Sequence, residues 1–71
     1  MIHPGAIVSS GAKISKNVKI GPFSFIGENV QIGNGCKIHS NVVIDGNVKI
    51  GENTEIFPFS SIGSIPQDLK Y

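Results

Sequence analysis

From Ile2 to Ile62, every sixth residue is Ile or Val: Ile2, Val8, Ile14, Ile20, Ile26, Ile32, Ile38, Ile44, Ile50, Ile56 and Ile62. At the chain's own aliphatic frequency, such a run in one register arises by chance roughly once in a million. No α-helix can use it, because a 3.6-residue turn does not return a six-residue stripe to one face. An extended strand can, because six is even and alternate side chains share a side. The chain must therefore be extended in short pieces that keep presenting the same face.

Two further registers fill in the geometry. Two residues before each aliphatic stands a small or β-branched residue: Ala6, Ala12, Val18, Ser24, Val30, Cys36, Val42, Val48, Thr54 and Ser60. Each strand thus points one small and one large side chain inward. Three residues after the aliphatic come Gly5, Gly11, Asn17, Asn29, Gly35, Asn41, Asn47 and Asn53, residue types that tolerate positive φ and so suit corners. Phe23 and Phe59 interrupt that register. Pro4, Pro22 and Pro58 precede three of the corner positions at separations of 18 and 36, which sets three hexads per coil. The predicted fold is all-β: a parallel β-helix of three short sheets and about four coils, with one column of aliphatics inside a triangular prism.

The regularity fails once. After Ile62 and Gly63 the next stripe position is Asp68, and the corner and small positions before it hold Ile65 and Pro66. A carboxylate aimed into an Ile-lined column costs several kcal/mol unless paired, so residues 64–71 are predicted to leave the prism as a loop, with the coils confined to residues 1–63.

That segment carries a resemblance. The string SIGSIPQDLKY, following FPFSSIG and an N-terminal IHPGAIV, resembles the UDP-N-acetylglucosamine O-acyltransferase family of lipid A synthesis, within the hexapeptide-repeat acyltransferase superfamily. The likeness runs through the whole chain, and QDLKY is its most specific part. It implies a left-handed helix, an exception to the usual right-handed parallel crossover. It implies transfer of an (R)-3-hydroxyacyl group from acyl carrier protein to the 3-hydroxyl of UDP-N-acetylglucosamine, in a homotrimer. Gln67, Asp68, Leu69 and Lys70 match the segment that contacts the UDP-sugar; a carboxylate accepts from sugar hydroxyls and an ammonium suits a phosphate oxygen. The family's general-base His has no counterpart here, since His3 and His39 do not match its motif. The expectation is an N-terminal piece of such an enzyme, inactive alone, with no catalytic residue in this chain. The open alternatives are another hexapeptide-repeat transferase, such as the N-acyltransferase of the same pathway, and a non-enzymatic structural β-helix.

Composition narrows the partners. The charge is +1, all six basic residues are scattered Lys, and no basic patch points to nucleic acid. No stretch approaches the ~20 apolar residues of a membrane span, no secretion signal opens the chain, and one Cys forms no internal disulfide; a cytoplasmic location is expected. No cofactor or metal is expected. His3 and His39 fall on one face two coils apart, too far to share one zinc ion, and read as surface or turn residues. Cys36 reads as a packed core thiol. Phe25 and Phe57 should face outward and Phe23 and Phe59 occupy corners, together suggesting a subunit contact. Lys13, Lys16, Lys19, Lys37 and Lys49 read as solubilising outward residues.

Overall fold

The computed structural model describes residues 1–63. Ten strands of two or three residues follow one another: β1 (Ile7–Val8), β2 (Lys13–Ile14), β3 (Lys19–Ile20), β4 (Phe25–Ile26), β5 (Val30–Ile32), β6 (Lys37–Ile38), β7 (Val43–Ile44), β8 (Val48–Ile50), β9 (Glu55–Ile56) and β10 (Ser61–Ile62). They form three parallel sheets in the orders β1-β4-β7-β10, β2-β5-β8 and β3-β6-β9. Each strand pairs with the one 18 residues later: Ile14 with Ile32, Ile20 with Ile38, Ile26 with Ile44. Ile2 extends the third sheet through a single bridge to Ile20. This is the three-sided parallel β-helix the hexads demand, with one coil per three hexads.

Strands this short persist only because each lies on its neighbour's ladder. Coil-to-coil amide bonds of 2.8–3.1 Å connect them, such as Ile7 N to Ser24 O, Phe25 N to Val42 O and Val43 N to Ser60 O. The core is the predicted column: Val18, Ile20, Ile26, Val30, Ile32, Cys36, Ile38, Val42, Ile44 and Ile56 are buried. Each fully buried Ile is worth about 1.5–3 kcal/mol relative to exposure. Burial weakens toward both ends, where Val8, Ile14, Ile50 and Ile62 are only half-buried, because a terminal coil has a neighbour on one side alone.

The corners differ from expectation. Positive φ occurs at Asn17, Gly35 and Asn53 on one edge, as predicted, and at Phe23, Asn41 and Phe59 on a second. On the third edge, Gly11, Asn29 and Asn47 do not adopt it, and neither does Gly5; Gly46 does instead, one residue early. Hydrogen bonding explains the division. At left-handed corners the corner amide reaches the preceding coil: Phe23 N donates to Gly5 O, Asn41 N to Pro22 O, Phe59 N to Asn41 O and Gly35 N to Lys16 O. At the other corners the turn closes on itself, as Ala6 N donates to His3 O, Ala12 N to Ser9 O and Val30 N to Gly27 O.

Gly63 is the last described residue and already departs from the repeat. Its φ is +73°, whereas Gly27, one residue past the equivalent strand, carries no positive φ. A Cβ there would stand 2.0 Å from Val48 Cγ2 and 2.6 Å from Asp45 O. Only Gly fits. The predicted loop at residues 64–71, with Gln67, Asp68, Leu69 and Lys70, lies outside the described residues.

Candidate functional site

Alternation along each strand gives the prism three outer faces of different chemistry. The β2-β5-β8 sheet turns Lys13, Gln31 and Lys49 outward, and the β3-β6-β9 sheet turns Lys19, Lys37 and Glu55 outward. The β1-β4-β7-β10 sheet is unlike both. Its outward column is Ile7, Phe25, Val43 and Ser61, in register across four coils. Ile7 is 64% exposed and Val43 39%. The corner leading into this face carries Phe23 and Phe59, which are 74% and 82% exposed. One face therefore holds a row of exposed apolar side chains and no Lys, while both others carry cations.

Phe23 and Phe59 occupy the corner at φ 62° and 64°. For a bulky L-residue this region costs of order 1–2 kcal/mol. Sequence reasoning treated the two as breaks in the corner register; the structure keeps the corner and strains the aromatics into it. Pro22 and Pro58 immediately before them fix the approach of the chain.

On the neighbouring face, His39 is more engaged than a free surface histidine. Its ring stacks on Phe57, with centroids 5.2 Å apart and planes inclined by 24°. Its Nε2 lies 2.7 Å from Glu55 Oε2. The sequence held the signal, since Phe57 follows His39 by one 18-residue coil. His3 sits on the same side of the prism, and its Nδ1 accepts from Gly5 N at 2.8 Å, which leaves the proton on Nε2. Cys36 is buried, with Sγ donating to Gly51 O at 2.9 Å, as expected of a core thiol. Phe25 and Phe57 both face outward, Phe57 exposed and Phe25 half-buried between Ile7 and Val43. No helix among the described residues is long and apolar enough to cross a membrane.

A hexad-built, three-sheet column with an 18-residue coil defines the chain as a hexapeptide-repeat β-helix. It belongs to the bacterial transferase hexapeptide family, whose six-repeat description matches residues 11–46. Curated relatives named acyl-(acyl-carrier-protein)–UDP-N-acetylglucosamine O-acyltransferase include that of Thermodesulfovibrio yellowstonii, 51% identical over 70 residues, and that of a Sulfurovum species, 63% identical over 70 residues. Each alignment covers 99% of this chain and 27% of the relative, so the chain spans about a quarter of their length. Among solved structures, LpxA of Acinetobacter baumannii superposes with a TM-score of 0.90 at 51% identity, covering 99% of this chain and 27% of that one. The UDP-N-acetylglucosamine acyltransferase of Campylobacter jejuni gives 0.92 at 31% identity, covering 100% and 28%.

Proposed function

We propose that the chain serves an acyltransferase that moves an (R)-3-hydroxyacyl group from acyl carrier protein to the 3-hydroxyl of UDP-N-acetylglucosamine, in the cytoplasm. The named relatives, 51–63% identical across 99% of the chain, carry this reading. The coils are the scaffold, and the segment after Gly63 is the substrate-contacting part: Gln67, Asp68, Leu69 and Lys70 hold the sugar nucleotide. Asp68 accepts from sugar hydroxyls and Lys70 neutralises a phosphate oxygen. In the reaction, a general base takes the proton of the sugar hydroxyl as its oxygen attacks the thioester carbonyl. This chain supplies acceptor positioning and no base.

The assembly is a homotrimer whose subunits meet through the β1-β4-β7-β10 face. That face supports the reading because it alone lacks Lys and exposes Ile7, Val43, Phe23 and Phe59. Titration with UDP-N-acetylglucosamine, followed by thermal shift, is the test. Saturable stabilisation that is lost in Asp68→Asn and Lys70→Ala is expected. A stronger response to the 3-amino analogue would move the chain to the N-acyltransferases, and no response to either would remove the sugar-nucleotide role. The 71-residue polypeptide by itself is expected to give no acyl transfer; clear turnover would mean that the base is misassigned.

A further inference from the structure

Asn34 and Asp45 are each followed by glycine, at Gly35 and Gly46. At such a step the backbone amide can close on the side chain before it, because glycine puts no Cβ in the way. Asn is intrinsically the more reactive, since its carboxamide is neutral, whereas an aspartate must first take up a proton. The fold opposes that order. Gly35 N, which would attack Asn34, donates to Lys16 O at 3.0 Å on the preceding coil. Asn34 Oδ1 accepts from Lys16 N at 3.0 Å, and Asn34 O from Asn53 N at 2.8 Å. Closing a ring there removes the Gly35 N–H and swings the carboxamide off Lys16, so coil-to-coil bonds must break first. Gly46 N is arranged the opposite way. It lies 2.9 Å from Asp45 Oδ1 and, among the described residues, gives no bond to another coil. Packing keeps the carboxylate there. Gly27 lies beneath it one coil earlier, where a Cβ would overlap Oδ1 and stand 3.1 Å from Asp45 Cγ. Asp45 is exposed, so water reaches it.

We propose that the Asp45–Gly46 step is a site of spontaneous backbone modification, at which Asp45 converts to isoaspartate while Asn34 stays intact in the folded chain. Gly46 N bonds to Asp45 Cγ. The C–OH bond of the protonated carboxyl breaks, and the hydroxyl leaves as water with the amide proton. Water then adds to the cyclic imide. Cleavage of the Gly46 N–Cγ bond restores Asp45; cleavage between Gly46 N and the Asp45 main-chain carbonyl leaves isoaspartate, with one extra methylene in the backbone. That methylene falls where spacing is tight. Asp45 N donates to Ile62 O at 3.1 Å, and a Cβ at Gly63 would stand 2.6 Å from Asp45 O. Isoaspartate therefore loosens β10 and Gly63 from the coil beneath them.

The test is prolonged incubation of the whole chain in mildly acidic buffer, followed by peptide mapping that separates isoaspartyl from aspartyl peptides. In the folded chain isoaspartate should accumulate at position 45 ahead of any conversion at Asn34; in guanidinium the order should reverse. Asp45→Asn places the same Asn-Gly dipeptide at both steps, with ammonia as the leaving group in place of water. Position 45 should then convert roughly 10-fold faster than Asn34 when folded, because the coil-to-coil bonds hold only Asn34, and at a similar rate when unfolded. Gly27→Ala touches neither dipeptide but displaces the carboxylate, and should slow conversion at Asp45 by roughly 10-fold. Faster conversion at Asn34 than at position 45 in the folded Asp45→Asn chain would overturn the proposal, as would a folded Gly27→Ala chain that converts at the original rate.

Discussion

Ser24 is the one polar side chain buried among the described residues, and both its hydrogen bonds bridge coils. Its Oγ donates to His39 O at 2.7 Å and accepts from Val42 N at 3.1 Å. It therefore satisfies a donor and an acceptor that lie within the wall of the column. Ser24→Ala removes the bridge without opening a large void, and should cost about 1–3 kcal/mol in chemical denaturation; an unchanged midpoint would mean that water replaces the hydroxyl. Phe23 is the converse case, a residue whose local conformation is unfavourable. Asn41 holds the same corner one coil later at φ 58°, so that corner accepts Asn. Phe23→Asn should stabilise the monomeric fold by ~0.5–1 kcal/mol in dilute solution while weakening self-association in sedimentation equilibrium. A loss of monomer stability would show that the ring packs locally and is not held for a partner.

At the scale of strands and corners, Gly63 is the position most sensitive to change. It combines a positive φ with backbone and side-chain atoms inside the radius of any Cβ. Gly63→Ala should destabilise by more than the ~1 kcal/mol typical of a tolerated site, and the loss should centre on β7, β8 and β10 in hydrogen exchange. Much of this level was legible in the sequence. The six-residue stripe specified the strands, their inward faces and the 18-residue stacking, because period and burial are directly coupled in extended chain. Corner conformation was legible only in part. Gly and Asn permit positive φ without requiring it, and at Gly11 and Asn29 the turn closes locally, whereas the left-handed corners reach the previous coil. At Phe23 and Phe59 the stacking of coils overrode residue preference altogether. The His39–Phe57–Glu55 cluster escaped notice because its contacts become neighbours only once the coil length is applied to outward residues as well as inward ones.

For the whole molecule, the uneven dressing of the three faces matters most. Lys in two outward columns discourages lateral association, and its absence from the third leaves Ile7, Phe25 and Val43 free to meet another subunit. Val43→Lys places a cation in the middle of that column on an outward position, so under the proposed trimeric assembly the fold should persist while self-association is lost at micromolar concentration in analytical ultracentrifugation. Self-association unchanged by the substitution would move the proposed subunit contact to another face. The 18-residue spacing also governs which insertions and deletions this polypeptide can accept. Excising 18 consecutive residues shortens the column yet rejoins every sheet to itself, so the outcome should be a squatter molecule with its face chemistry intact. Losing six residues keeps every aliphatic of the six-residue stripe pointing inward and nevertheless rotates everything downstream by a third of a turn. Cationic columns then run into apolar ones, and the outward apolar column of the first sheet is cut in two. Length variation in such a scaffold is quantised by the coil, even though its sequence repeats by the hexad.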